Sequence, residues 1–302
     1  MTGWRWFPEL WRGFLTTLVA AQAEVPHTQS SRIEDVDFGC LNGPVRLRIV
    51  RPLRKIDGLP VVVYFRGWLE PGTQSQIYDR LVQEIAERSG AAVISIHDGD
   101  GGGRNFCARL ETGCGLLMAL EERGEALGLD MTRLAVAGDG IGGAIAAALC
   151  WRSKERGGPD IRLQILLCPA MSHACDTPSY KTFAAGPWLT TAVMRTVINE
   201  WSLGEMTVTP NAYPLIADFR KLENLPPAII ITAENDVLRD EGETYARKLM
   251  QAGVNAQCTR YVGTIHDFVV LNALAESNAA AAAISQVAAA LDSAFSREGM
   301  NK

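Results

Sequence analysis

The sequence predicts an α/β fold: a mostly parallel, doubly wound sheet with an antiparallel amino-terminal edge and a helical cap. Three observations carry that expectation. Short, continuous apolar runs alternate with stretches of helical period, the pattern of parallel strands joined by crossover helices. Two β patterns come first, separated only by a turn cluster, so they pair antiparallel at one edge. Two stretches, 1–32 and about 170–212, break the alternation and carry apolar residues at helical spacing, which suits helices packed over the sheet.

In chain order, 36–38 and 45–50 are short β patterns around Gly39 and Asn42-Gly43-Pro44. Residues 61–65 form an uninterrupted apolar run, as a strand covered on both faces requires. Residues 77–88 read as a helix, because Ile77, Leu81, Val82, Ile85 and Ala86 share one face. A second buried strand is predicted at 91–96, a helix at 110–127, a strand at 133–137 and an alanine-rich helix at 142–151. Strands at 163–168, 228–232 and 257–262 follow, with helices at 241–251 and 273–295. In the 170–212 stretch, Trp188, Met194, Val197, Ile198 and Trp201 recur at helical spacing. In the first stretch Trp4, Phe7, Trp11, Phe14, Leu15 and Leu18 do the same. Residues 13–23 also have the outline of a signal peptide, with Arg5 and Arg12 before them, but Glu9 and three tryptophans speak for a helix. The two stretches are expected to form one cap over the carboxyl edge of the sheet, where open α/β sheets place their sites.

Across 302 residues the composition is 47% apolar and 21% charged, which excludes disorder and collagen. The net charge of −5, spread along the chain, gives no reason to expect nucleic acid. No apolar run in the sequence suggests a membrane span. The seven cysteines form no C-x-x-C pair and the histidines no zinc spacing, so free thiols in a reducing cytoplasm are expected and no metal. There is no P-loop and no dinucleotide fingerprint, hence no expected cofactor. The acidic stretch Asp98-Gly99-Asp100-Gly101-Gly102-Gly103 fails as a calcium loop, since an EF-hand's fifth and twelfth positions fall on Gly102 and Arg109.

The chemistry lies elsewhere. Residues 133–151, RLAVAGDGIGGAIAAALCW, are a strand, a sharp turn through Gly138-Asp139-Gly140-Ile141-Gly142-Gly143, and a helix. Segment 232–242, TAENDVLRDEG, and segment 261–268, YVGTIHDF, each follow or end a predicted strand. With 176–180 (DTPSY), 186–190 (GPWLT) and 225–228 (LPPA), these stretches resemble the hormone-sensitive-lipase-like esterases of the α/β-hydrolase fold, over nearly the whole chain. The resemblance implies a nucleophile elbow at 138–142, a triad acid at Asp236 and a triad histidine at His266, in the chain order of that fold. It also raises a homodimer through the last strand and closing helix.

Two departures from the family change the expected chemistry. The nucleophile position is Gly140, which has no side chain with which to attack an acyl carbon. The family's H-G-G-G oxyanion motif is Arg66-Gly67-Trp68-Leu69 here; Trp68 and Leu69 keep their amides, but their Cβ atoms restrict the turn. The Ile141 amide, at the start of a helix, remains as one donor. Arg66 pairs either with a ligand carboxylate or with Asp98, Asp100 or Asp139. His97 and His173 read as structural histidines. The sequence thus points to an enzyme without covalent serine catalysis. Asp236 would orient His266 as a base acting on a small, fairly apolar ester or carbonyl compound, by water-mediated hydrolysis or as a lyase, isomerase or cyclase. The rival expectations are a ligand-binding protein on the same fold and an inactivated carboxylesterase.

Overall fold

A computed structural model describes Thr17 and residues 31–40, 43–54, 58–67, 78–96, 105–202 and 213–296. Eight strands form one sheet: β1 (Ser31–Cys40), β2 (Gly43–Pro52), β3 (Leu59–Phe65), β4 (Ala92–Ile96), β5 (Leu129–Asp139), β6 (Ile161–Leu167), β7 (Ala228–Asn235) and β8 (Ala256–Ile265). Their order is β1-β2-β4-β3-β5-β6-β7-β8. The β1/β2 and β2/β4 pairs are antiparallel and every later pair is parallel. The predicted fold class and antiparallel edge are therefore what the chain adopts.

The longer helices are α1 (Asp79–Ser89), α2 (Phe106–Arg123), α3 (Gly140–Arg156), α5 (Thr191–Ser202), α7 (Arg239–Gln251) and α8 (Asn278–Ser296); α4 (Pro178–Thr182) and α6 (Phe219–Leu222) are short. Every residue of β3 and β4 is buried, which is why those runs carry no polar alternation. α3 packs on β3, β5 and β6, and almost its whole first three turns are buried; its alanines allow the close approach. α8 is long and apolar enough to cross a membrane by length and composition, a test that buried core helices also pass. Its Ala283, Ile284, Val287 and Leu291 are instead buried where it packs on α1 and on β5, β6 and β7.

Several elements run longer than their apolar runs suggest. β5 begins at Leu129 and reaches Asp139, with a register shift between Leu134 and Ala135 where it pairs with β6. β8 reaches Ile265, the residue before His266. The predicted closing helix is split: Asn272–Leu274 form a 3₁₀ turn and α8 begins at Asn278. Of the two non-alternating stretches, 1–16 and 18–30 lie outside the described residues, as do 203–212. The described part of the second stretch contains α4 and α5 and hydrogen-bonds to the loop after β7, with Ser179 Oγ donating to the Val237 carbonyl at 2.7 Å.

Candidate active site

β5 ends at Asp139 and α3 starts at Gly140 with nothing between them. The chain can turn this sharply because two glycines let backbones touch. A Cβ on Gly138 would strike the Gly142 carbonyl, and one on Gly142 the Phe65 carbonyl. Gly140 differs. It sits at φ +48°, the left-handed region, yet among the described residues a Cβ there would meet only Gly67 Cα at 3.8 Å and His266 Nε2 at 3.9 Å. The vacant direction points at the histidine.

Asp236 and His266 follow the last two strands, and the register Asn235↔Ile265 sets them side by side at the carboxyl edge. His266 Nδ1 lies 2.8 Å from Asp236 Oδ2, while Asp236 Oδ1 accepts from the Leu238 amide at 3.0 Å. Both residues are 1% exposed. On the other side of the ring, Nε2 is 3.3 Å from Asp267 Oδ1. The Trp188 indole N–H donates to Asp267 Oδ2 at 3.1 Å. Burial alone would favour a neutral ring, but the carboxylates of Asp236 and Asp267 outweigh it and hold the His266 pKa well above the ordinary imidazole value.

The elbow's Asp139 is buried under three donors: Tyr64 Oη at 2.9 Å, Tyr78 Oη at 3.0 Å and the Gly67 amide at 3.1 Å. Burial, helped by repulsion from Asp267, pushes its carboxyl up to about 7 against those hydrogen bonds. Of the sequence alternatives for Arg66, the Asp139 pair is not formed; the buried guanidinium donates to the Ile96 carbonyl at 2.5 Å. Gly67 admits no Cβ, because Asp139 lies against it. Ile141 is buried at the second position of α3, where a helix leaves its amides without intrahelical acceptors. Trp68, Leu69, His97 and 98–103 lie outside the described residues. His173 packs against the Tyr213 ring, 5.2 Å between centroids.

Cys168, Asp267, Trp188 and Arg80 were not among the site residues expected from the sequence, although Trp188 was expected in the cap. Cys168, just after β6, brings its thiol within 4.8 Å of the His266 ring; burial pushes that thiol up to about 12, so it is no thiolate nucleophile at neutral pH. Arg80 on α1 is buried and pins the loop after His266, donating to the Val269 carbonyl at 2.6 Å and Asn272 Oδ1 at 2.9 Å. Cys168, Asp236 and His266 offer ligand atoms within 4.8 Å of one another. The set fits a metal poorly, since Nδ1 and Oδ2 stand at 2.8 Å around a shared proton, closer than the roughly 3.3 Å between ligands of a tetrahedral zinc. A separate cavity of about 640 Å³ opens at the opposite edge of β6 and β7, lined by Lys154, Arg162 and Pro226 and by none of these residues.

Acid and histidine after the last two strands, aimed at a glycine-rich elbow after the fifth, are the arrangement of the α/β-hydrolases. The sequence agrees at the level of families: residues 62–270 match the alpha/beta hydrolase fold model, and the chain belongs to that family. It is 32% identical to carboxylesterase NlhH of Mycobacterium tuberculosis over 232 residues, 74% of this chain and 71% of that protein. It is 28% identical to the ethyl acetate hydrolase of Pseudomonas putida over 86% of this chain and 82% of that one. Among solved structures it resembles a thermostable esterase from Pseudomonas putida ECU1011, with TM-score 0.88 and 34% identity over 94% of this chain and 89% of the other. The esterase resemblance carried by the motifs is thus the family relationship of the whole chain.

Proposed function

We propose that this chain is a hydrolase-family enzyme that works without a covalent serine intermediate. Its His266–Asp236 pair performs general acid/base chemistry on a small, fairly apolar ester or carbonyl compound. The observation that supports this reading most is the direction of the missing side chain at Gly140: a Cβ there would lie 3.9 Å from Nε2 of a buried, hydrogen-bonded acid–base pair, and that position carries no nucleophile. A water or a substrate group takes that place. Asp236 fixes the ring's orientation and stabilises its protonated form, as the acid of a Ser-His-Asp triad does. The Ile141 amide and the positive end of α3 face the same space and stabilise charge developing on a substrate oxygen. The tyrosine-held Asp139 fixes Gly67 and with it the start of the oxyanion loop. In this reading the 1–32 and 170–212 stretches form the cap, and the protein acts in the cytoplasm.

The test begins with a panel of esters, lactones and β-keto compounds, to find a substrate turned over by the wild type. His266→Ala should then lower turnover by about 10²–10⁴, the range for a positioned acid or base. Asp236→Asn should lower kcat while circular dichroism shows an intact fold. If both variants keep wild-type turnover, the pair is a relic and the chain is a ligand-binding member of its family.

A further inference from the structure

We infer that Asp267 is a further active-site residue: its carboxylate faces His266 Nε2, the ring nitrogen that a side chain at position 140 would meet, and in the reaction the histidine donates a proton and Asp267 accepts one. The inference deepens the proposed function and rests on it for the reaction, though not for the state of the ring. A neutral imidazole has one N–H and one lone pair. Here both nitrogens face carboxylate oxygens, Nδ1 at 2.8 Å and Nε2 at 3.3 Å. With either nitrogen bare, a lone pair would face a buried carboxylate oxygen, so the two carboxylates favour the doubly protonated ring. The contact at Nε2 is built rather than incidental. Trp188 lies at φ +69°, a conformation that bulky side chains seldom adopt, and Asp267 at φ +62°, where aspartate is one of the few side-chain-bearing residues commonly found. The two are joined by the indole N–H at 3.1 Å. Both Asp267 and His266 are 1% exposed.

The charged and titratable groups facing the pair come from several elements. They are Asp236 after β7, Cys168 after β6, Asp139 at the end of β5 and Tyr64 on β3. Only the histidine among them is a cation, and it stands between the carboxylates. In ester or lactone hydrolysis, water attacks the acyl carbon as Asp267 takes its proton. The acyl C–O bond then breaks as His266 Nε2–H protonates the leaving oxygen. Transfer of the proton from Asp267 to His266 restores both groups, and the net change is ester plus water to acid plus alcohol.

Nuclear magnetic resonance of ring-labelled histidine tests this without a substrate. The chain has four histidines, His27, His97, His173 and His266, so the His266 signal is assigned from the His266→Gln variant. The wild-type ring should stay doubly protonated well above the ordinary midpoint of about 6.5. Asp267→Asn, which tolerates the left-handed backbone, should lower its midpoint by ~1–3 units. Asp267→Gly, which also accepts φ +62°, is the second variant should the first not fold. A wild-type midpoint near 6.5, or one that either folded variant leaves unmoved, overturns the inference. With a substrate in hand, the wild-type rate should fall at high pH as His266 loses its proton, and Asp267→Asn should lose about 10²-fold or more in kcat. An Asp267 variant with wild-type kcat would also overturn it. The two readings fail separately: an ordinary His266 titration with an inactive His266→Ala sinks only the role of Asp267. Unchanged turnover in His266→Ala sinks the catalytic reading.

Discussion

Replacing Gly140 by serine tests whether this site is a serine esterase lacking one atom group or a site rebuilt for other chemistry. A Cβ at 140 makes ordinary contacts, 3.8 Å to Gly67 Cα and 3.9 Å to His266 Nε2, so none of the described residues need move to admit it. One further bond of roughly 1.5 Å brings Oγ within the ~2.6–3.2 Å of hydrogen-bonding reach of Nε2. The left-handed φ of +48° is the structural cost. At about 1–2 kcal/mol for a residue with a Cβ, it should lower Tm by a few degrees. Activity faces two larger obstacles. An imidazolium cannot take the serine proton, and loss of a positioned base costs ~10²–10⁴. The Gly67 amide is committed to Asp139, and Trp68 and Leu69 stand where the family has glycines; one missing oxyanion donor costs ~10²–10³. Gly140→Ser should therefore remain at least about 10³-fold below a related carboxylesterase in kcat/KM for p-nitrophenyl acetate, measured side by side. Adding Asp267→Asn should raise the serine variant's rate by about tenfold or more, since it frees Nε2 to act as a base. Family-like kcat/KM from the single substitution, with burst-phase acyl-enzyme, would refute the rebuilt site.

Two further outcomes follow from the same groups. The wild type should not hydrolyse short p-nitrophenyl esters at an esterase-like rate, and Cys168→Ala should leave any residual rate unchanged, because the buried thiol stays protonated; an acyl group on Cys168 seen by mass spectrometry would contradict this. The Asp139 carboxyl, at about 7 when folded against about 3.9 unfolded, binds its proton more tightly in the native state. Its contribution to stability is full below pH ~4 and is lost as pH rises through 7, on the order of 4 kcal/mol in all. Asp139→Asn removes that slope, so urea unfolding at pH 5 and pH 8 should show the wild type losing stability relative to the variant; parallel behaviour would refute the assignment.

Much of this was legible in the sequence because it depends on period and order. Apolar runs located every strand, and the positions of Asp236 and His266 just beyond two of them fixed their meeting once the strands paired as neighbours. Strand and helix ends were legible only in part. β5 and β8 extend through Asp130 and Gly263, residues with no strand preference, because neighbouring strands supply their pairing partners. Asp267 was visible as a letter in a motif but not as a participant. Its reach to Nε2 depends on a left-handed backbone and on Trp188, 79 positions away in sequence, and neither leaves a periodic trace.

Asp267 also decides how much the surviving pair means. A buried His–Asp pair is self-preserving, since removing one partner strands the other at a cost of ~3–5 kcal/mol. Retention of His266 and Asp236 would follow from stability alone, even in a protein that had given up chemistry. A second buried carboxylate does not follow from stability. It helps drive the Asp139 carboxyl upward. A chain keeping the pair only as packing would gain from a neutral residue at 267, such as glycine or asparagine, which accept that conformation. The carboxylate there, oriented by an indole N–H and set against the one ring nitrogen that chemistry would use, is what a working acid–base couple requires and what a relic does not.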